Sequence, residues 1–474
     1  MNNPFPDVPL VLSTYLERSR ERILSNLLDW VRIPSISADP AHAADVAASA
    51  QYCCRLMREA GLHNVQVLAT GSGEVPGGPA AYGEWLDAGA GAPTVLVYCH
   101  HDVQPADPLG QWASPPFEPV VEGGISGGHV LARGASDDKG QAIMQVEAVR
   151  GLLAERGSLP VNVKFLVEGE EEIGSPHLEP LLDERKELLV ADVVIISDTT
   201  MLAAGLPSAT VSMRGLIAFD ITLRTARADL HSGIWGGTVP NAALLASRLA
   251  AHLHDRDHRV TLPGFYDHVR EMTDREASSL AQVPFDEALY KRQAGVAYLE
   301  GEAGRTPLER TGTRPTAEVV GIHSGYGGPG MKTIVPAEAN MKIALRLVPD
   351  QEPDQVEESL RAWLFDRVPA GVTYQVSRFG GVKPLLTPID HPAMGALSAA
   401  IERVWGRAPL FTREGGSGPE EALGRVLGAP VIAFGVSLPT DNFHAPDERF
   451  NLGQLWRGIL AAGELLVELG KSHG

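Results

Sequence analysis

The chain has 474 residues, and this length predicts two or three structural units. Its hydrophobic share of 44% and charged share of 21% are typical of a folded globular protein and exclude a disordered chain. The formal net charge of -19 disfavours nucleic-acid binding, because lysine and arginine are needed to neutralise phosphates.

The first part of the chain alternates between helix and strand patterns. Apolar residues at helical spacing predict helices over residues 14–30 and 43–60, and Gly61 is expected to end the second. Continuous apolar runs then predict buried strands at 94–98, 161–167 and 192–196, with a helix at 139–156. Such runs are typical of a sheet that is covered on both faces.

The middle of the chain has a different order of elements. Strand, helix, strand, strand, helix and strand patterns lie at 211–223, 241–254, 316–322, 340–347, 353–365 and 372–377. This βαββαβ order predicts a ferredoxin-like α+β layer. Residues 258–310 are interpreted as an insertion with short helices and no evident role. One more buried strand is predicted at 430–436.

Side chains that commonly bind metals follow four of the predicted strands. His100 and Asp102 follow the first strand, Glu172 the second and Asp198 the third, and His444 follows the last after a short loop. Ligands of open α/β sheets bind beyond the carboxyl ends of the strands, so these residues are expected to lie close together. Their carboxylates would repel each other, and a pair of divalent cations would offset that repulsion.

The types of ligand also indicate which metals would bind. Imidazole and carboxylate suit zinc, with manganese or cobalt as alternatives. Two ions about 3.5–4 Å apart need a bridging carboxylate, and Asp137, where a helix pattern begins, is the best candidate. Taken alone, Asp137 could be a helix cap and the acidic run at 170–172 a solvated face. The coincidence at four strand ends favours a metal site.

Six motifs at these positions resemble the co-catalytic zinc peptidases, a family that includes carnosinase-type dipeptidases, aminoacylases and succinyl-diaminopimelate desuccinylase. The resemblance covers nearly the whole chain and is closest to the dipeptidase branch. It implies a zinc-peptidase-like catalytic α/β domain with a central mixed sheet, formed by residues 1–209 and 383–474. A ferredoxin-like lid or dimerisation domain, residues 210–382, would interrupt it. The motifs lie at residues 98–105, 134–140, 168–175, 197–198, 229–233 and 443–446.

The resemblance assigns the residues of a site for two divalent metal ions. His100 and Asp198 would bind one ion, Glu172 and His444 would bind the other, and Asp137 would bridge them. The peptide bond that follows the bridging aspartate is expected to be cis.

The resemblance also implies three catalytic roles. Asp102 would lie behind His100 and orient its ring. Water activated by two metals has a pKa near 7, and a carboxylate free of metal can take its proton. The choice of Glu171 as this base, and of Glu172 as the ligand, rests on the resemblance. His231 would stabilise the oxyanion, in dimeric members from the partner subunit, although it could also be a turn histidine.

Substrate recognition is expected to involve an arginine, because guanidinium binds carboxylate through two hydrogen bonds. By resemblance Arg346 takes this role, with a surface ion pair as the alternative. His231, Thr333 and Ser417 resemble further substrate contacts. His101 stands where an apolar or aromatic residue is commoner in the family, and it could act as an additional ligand.

Together these features predict a metal-dependent dipeptidase that acts on small substrates with a C-terminal carboxylate. An N-acyl-amino-acid deacylase, an exo-carboxypeptidase or a catalytically silent binding protein on the same scaffold are the alternatives. A homodimer with a small peptide substrate, and without nucleic-acid or membrane partners, is expected. Three cysteines without a CxxC pair, no signal-peptide pattern and no apolar run of about 20 residues indicate the cytoplasm.

Overall fold

The structure is a computed structural model that describes residues 10–71 and 76–471. Its strands are β1 His63–Leu68, β2 Ala80–Trp85, β3 Thr94–His100, β4 Val120–Glu122, β5 His129–Leu131, β6 Asn162–Glu168, β7 Val193–Ile196, β8 Ser208–Met213, β9 Gly215–Arg224, β10 Leu230–His231, β11 Thr316–Ser324, β12 Ile334–Val335, β13 Glu338–Leu347, β14 Thr373–Val382, β15 Leu385–Leu386, β16 Leu410–Glu414, β17 Val431–Ala433 and β18 Arg449–Asn451.

Its α-helices are α1 Ser13–Val31, α2 Ala43–Ala60, α3 Lys139–Arg156, α4 Leu178–Glu184, α5 Lys186–Leu189, α6 Ser232–Trp235, α7 Ala242–His252, α8 Asp274–Leu280, α9 Glu287–Ala294, α10 Pro307–Gly312, α11 Pro353–Arg367, α12 Pro392–Trp405, α13 Glu420–Leu427 and α14 Leu452–Lys471. Short 3-10 helices lie at Pro40–His42, Leu109–Gln111 and Glu171–Ile173.

The chain divides into two compact units. The first unit comprises Met1–Val211, Thr387–Thr412 and Pro419–Gly474. The second comprises Ser212–Leu386 and the short segment Arg413–Gly418. The domain boundaries after residues 209 and 382 stay predictions.

The first unit is built on a mixed sheet, as predicted. The strand order is β1-β2-β6-β3-β7-β17-β8, and β16 pairs with β8. The central strands β6, β3, β7 and β17 are parallel, whereas the pairs β1–β2, β2–β6 and β17–β8 are antiparallel. The four parallel strands are almost wholly buried, which explains their continuous apolar sequences. Because they run in one direction, their carboxyl ends lie at one edge of the sheet.

The three helices that were predicted for the first unit are present with nearly the predicted bounds. The bounds of α2 and α3 are those predicted, and α1 extends one residue further at each end. Gly61 ends α2 with a φ of 96°, a left-handed conformation that glycine adopts without strain. Helix α3 begins directly after the segment that contains Asp137, so the predicted bridging residue stands at a helix start.

The second unit has the predicted ferredoxin-like layer. Its antiparallel sheet has the order β11-β13-β9-β14, and the elements β9, α7, β11, β13, α11 and β14 follow in the chain as βαββαβ. Buried residues alternate along β9 and β13, so one sheet face packs into a core that includes side chains of α7 and α11. The insertion contains the short helices α8, α9 and α10, as expected.

One predicted element is wrong in detail. Residues 211–223 were expected to form a single strand, but the structure divides this stretch into β8 and β9, which belong to different sheets. The break falls at Arg214, whose backbone N–H donates to the carbonyl oxygen of Gly416 at 3.0 Å. This hydrogen bond to a loop replaces a strand–strand bond, a change that apolar patterning does not reveal.

Candidate metal centre

Imidazole and carboxylate groups gather in two clusters within the first unit. His100, Asp137 and Asp198 form one cluster, and Asp137, Glu172 and His444 form the other. Within each cluster the potential ligand atoms lie within 4.8 Å of one another. The structure therefore brings all five predicted ligand residues together, and Asp137 is common to both clusters.

The Asp137 carboxylate turns a different oxygen toward each cluster. Its Oδ1 lies 2.9 Å from Nε2 of His100, and its Oδ2 lies 3.1 Å from Nε2 of His444. The same His444 nitrogen lies 3.2 Å from Oε2 of Glu172, and the His100 nitrogen lies 3.7 Å from Oδ2 of Asp198. This is the arrangement that a carboxylate shared by two cations requires.

Local structure explains why these side chains meet. His100 is the last residue of β3, and Asp198 comes two residues after β7, so both stand at the same sheet edge. Glu172 lies in the 3-10 turn that follows β6. His444 lies in a loop and has a φ of 57°. The peptide bond between Asp137 and Asp138 is cis, as the family resemblance implied.

Asp102 connects the two sides of the site. Its buried carboxylate lies 3.4 Å from Nδ1 of His100. It also accepts hydrogen bonds from the backbone N–H groups of Glu171, at 3.2 Å, and Glu172, at 3.1 Å. The Asp102 side chain thus contacts both the imidazole ring and the turn with the two glutamates, and the backbone carbonyl oxygen of Asp102 lies still closer to Nδ1 of His100, at 3.1 Å.

Gln104 fixes the Glu172 carboxylate. Its backbone N–H donates to Oε1 at 3.1 Å, and its side-chain amide donates to Oε2 at 2.7 Å. The sequence interpretation gave this residue no role. Its place shortly after β3, within the motif at residues 98–105, could have indicated one.

Glu448 was also missed. This fully buried carboxylate accepts hydrogen bonds from the backbone N–H groups of Gly134, Ser136 and Asp137 at 2.9, 2.9 and 3.1 Å. It also forms a 2.8 Å ion pair with Arg133. Glu448 therefore ties the segment that carries His444 to the loop that carries the shared aspartate. Nothing in its polar loop sequence indicates this.

The electrostatics of the clusters suit cations. Burial raises the pKa of Glu171 to about 9, and the neighbouring carboxylates of Asp198, Glu172 and Asp137 act in the same direction. Hydrogen bonds to Asp137 and Glu172 raise the pKa of His444 to about 10. These carboxylates thus favour positive charge beside them. Among the described residues, neither cluster includes Glu171.

His101 is occupied elsewhere. It is fully buried, and its Nε2 lies 2.9 Å from the carbonyl oxygen of Pro79. Burial lowers the pKa of His101 to about 4, so the ring is neutral. Neither ligand cluster of the described chain contains it, and the idea that it acts as an additional ligand gains no support.

The predicted substrate residues lie in the second unit as two pairs. Strand β10 ends at His231 and pairs with β12, which Thr333 immediately precedes. The His231 ring accepts a hydrogen bond from the Gly233 N–H at 3.0 Å, so the turn interpretation is also realised. In the other pair, the Arg346 guanidinium donates to Oγ of Ser417 at 2.8 Å.

A mixed α/β sheet with a ferredoxin-like insertion and imidazole–carboxylate clusters at the sheet edge defines a metallopeptidase. Residues 96–468 match Peptidase family M20/M25/M40, and the chain belongs to this family. No helix within residues 10–71 and 76–471 is long and apolar enough to cross a membrane.

Three similar proteins cover almost the whole chain. The Cys-Gly metallodipeptidase dug1 of Schizosaccharomyces pombe is 29% identical, with 94% of each chain covered. The human Beta-Ala-His dipeptidase is 28% identical, over 97% of this chain and 92% of its own. Among solved structures, the M20 family metallo-carboxypeptidase Sso-CP2 from Sulfolobus solfataricus is similar with a TM-score of 0.81 and 31% identity, over 95% of this chain and 99% of its own.

Proposed function

We propose that this protein is a metal-dependent dipeptidase that hydrolyses the amide bond of dipeptides or similar small substrates with a free C-terminal carboxylate. The observation that carries the proposal is the Asp137 carboxylate, which lies between two ligand clusters with one oxygen toward each. The similarity to Cys-Gly and Beta-Ala-His dipeptidases along nearly the full chain supports the choice of substrate.

The site would hold two divalent ions. His100 and Asp198 would bind the first, Glu172 and His444 the second, and Asp137 both. When bound, such ions lower the pKa of water towards 7 and stabilise negative charge on a carbonyl oxygen. The donor set fits zinc, with manganese and cobalt as alternatives.

The chain itself would supply the proton transfers. Glu171 would accept a proton from the attacking water and donate it to the leaving amine. Asp102 would keep Glu171 in place through its bond to the Glu171 N–H, and it would orient the ring of His100. His231 would donate a hydrogen bond to the oxyanion of the tetrahedral intermediate.

Arg346 would recognise the C-terminal carboxylate through its guanidinium group. Ser417 orients that group by accepting its hydrogen bond, and Thr333 and His231 would make further substrate contacts. A homodimer in the cytoplasm is proposed as well. Its support is the family resemblance and three free, buried cysteines, which suit a reducing compartment.

An exo-carboxypeptidase is the second candidate, because the similar structure of Sso-CP2 belongs to a metallo-carboxypeptidase. An N-acyl-amino-acid deacylase would use the same clusters with a different pocket. These activities are separated by assays of the purified protein, supplied in turn with zinc, manganese and cobalt, on dipeptides, N-acyl amino acids and longer peptides. We expect the highest kcat/KM for dipeptides, above N-acyl amino acids and longer peptides. If the purified protein binds no divalent ion and hydrolyses none of these substrates, it is instead a catalytically silent binding protein.

The base is tested by a pair of neighbouring substitutions. Glu171→Gln should lower kcat by about 10²–10⁴-fold while the metal content stays unchanged, because general acid–base catalysis contributes this much. Glu170→Gln is the matched control, since the carboxylate of Glu170 lies 2.9 Å from Nδ1 of His177 and belongs to neither cluster. Near-normal turnover of Glu171→Gln would show that another group is the base.

A further inference from the structure

The second unit contains a cavity of about 610 Å³. Of its lining residues, only Arg346 has a role in the proposed function. Part of the lining comes from strands β11 and β13, and part comes from the insertion, whose role the sequence left open. Arginine is the most frequent side chain in the lining. The lining residues are Arg214, His254, His258, Val260, Glu300, Gly301, Glu302, Arg310, Thr311, Arg314, Pro315, Thr316, Glu318 and Arg346.

One arginine of the lining has carboxylate partners within the protein. Arg314 is buried, and its guanidinium contacts both carboxylate oxygens of Glu302 at 2.8 Å. It also donates to Glu271 at 3.0 Å. This pair shows how the fold neutralises a buried guanidinium when the charge is structural.

The other three arginines form no ion pair with a carboxylate of the described chain. Within the described chain, the side chain of Arg310 donates to the backbone oxygen of Glu302, and that of Arg346 donates to a serine hydroxyl. Arg214 is only 9% exposed, and its guanidinium reaches only backbone carbonyl oxygens, at 3.3 to 3.5 Å. A buried charge without a counter-ion is costly, so this arrangement favours an anionic ligand.

The acidic residues of the lining do not remove this excess. Glu302 is engaged by Arg314, and Glu300 lies 3.4 Å from His258. Glu318 is exposed, and it forms no ion pair with an arginine of the described chain. Burial and the nearby positive charge of Arg346 lower the pKa of Arg214 to about 10 against the opposing effect of the Glu318 carboxylate, which leaves the group charged at neutral pH.

We propose that this cavity binds a second carboxylate of the substrate, so that the enzyme prefers dipeptides whose C-terminal residue is aspartate or glutamate. The inference rests on the proposed dipeptidase function. Arg346 would take the C-terminal carboxylate, and Arg214 and Arg310 would take the carboxylate of the side chain. The insertion would then be a specificity element, because it supplies Arg310 and part of the cavity lining.

The test compares isosteric substrates. Ala-Glu against Ala-Gln, and Ala-Asp against Ala-Asn, differ only in the side-chain charge. We expect kcat/KM to favour the acidic member by about tenfold or more, through KM, because charged hydrogen bonds distinguish such pairs. Arg214→Gln and Arg310→Gln should each reduce this ratio towards one. Arg361→Gln, which alters an exposed arginine paired with Glu357, should leave the ratio unchanged.

The outcomes separate the two proposals. Hydrolysis of dipeptides without an acidic preference would overturn the inference and leave the proposed function standing. No hydrolysis of any dipeptide would overturn both. The inference would also fail if Ala-Glu and Ala-Gln were hydrolysed at equal rates and inorganic phosphate altered both rates equally. The cavity would then be a site for free anions. If Arg214→Gln did not fold, the ratios of the natural protein and of Arg310→Gln would decide.

Discussion

The two units carry opposite excesses of charge at their functional residues. In the first unit, the three carboxylates of Asp137, Glu172 and Asp198 gather with only two imidazoles in the clusters. In the second unit, the guanidinium groups of Arg214 and Arg346 lie in one cavity and form no ion pair with a carboxylate of the described chain. The first arrangement suits cations and the second suits anions, so each unit is complete only with a ligand of opposite charge.

Neighbouring pairs in both units show that this lack of partners is selective. Arg133 and Glu448 form a 2.8 Å ion pair close to the acidic clusters, and Arg314 and Glu302 form one beside the cavity. The fold thus neutralises buried charges that serve structure. Charges that remain without an opposite partner mark places where the protein binds something.

The largest expected effect comes from removing the shared carboxylate. Asp137→Asn should reduce the metal content to below one ion per chain and lower activity by about a thousandfold or more, because both sites lose their common ligand. Asp198→Asn should keep one ion, since only one cluster contains that residue. Metal analysis after dialysis measures both variants. Retention of two ions by Asp137→Asn would contradict the shared-ligand arrangement.

The corresponding change in the second unit should affect substrate and not metal. Arg346→Gln should lower kcat/KM by about 10- to 100-fold, mainly through KM, because it removes a charged hydrogen-bond donor from the C-terminal carboxylate. The metal content should be unchanged. Arg224→Gln is a suitable control, because Arg224 is exposed on the same sheet and pairs with Glu338. A loss of metal in Arg346→Gln would remove the contrast between the units.

Sequence reasoning predicted the acidic clusters because their ligands follow a simple rule. His100, Asp198 and Glu172 come shortly after buried apolar strands, and parallel strands deliver such residues to one edge. Strands β1 and β2 and helices α12 and α14 were not predicted. Strand β2 is nevertheless the neighbour of the predicted strand β6 in the sheet.

The rest of the two sites follows no such rule. Gln104 and Glu448 act through hydrogen bonds between loops that are distant in sequence, so their partners are known only from the fold. The arginines of the cavity come from a strand break, from the insertion and from β13. No periodic pattern connects these places.

Glu448 should matter for metal binding although it touches no ion in the proposed site. Glu448→Gln keeps the size of the side chain but removes the charge of the carboxylate, which accepts hydrogen bonds from three backbone N–H groups around Asp137. We expect metal affinity to fall by about tenfold, as is usual for groups that position a ligand. A competition titration with a chelator measures the affinity, and the melting temperature of the metal-free protein reports folding.

Glu464→Gln is the control for this change, because Glu464 is also buried and accepts from the Val11 N–H, but it belongs to neither cluster. An unchanged affinity in Glu448→Gln, with a lower melting temperature, would assign Glu448 to stability alone.

The smallest expected effect concerns Gln104. Gln104→Ala removes the side-chain amide that donates to Oε2 and to the backbone carbonyl oxygen of Glu172, but it keeps the backbone N–H that donates to Oε1, so the carboxylate loses only part of its support. The lost hydrogen bond to the carboxylate contributes about 1 kcal/mol, which corresponds to about a fivefold loss of affinity. Only the ion on the side of Glu172 and His444 should be affected, because Gln104 donates to none of the other ligands in the described chain. Calorimetry measures the two sequential metal-binding constants, and we expect one constant to change and the other to stay the same. An equal change in both constants would mean that the two clusters respond as a single unit.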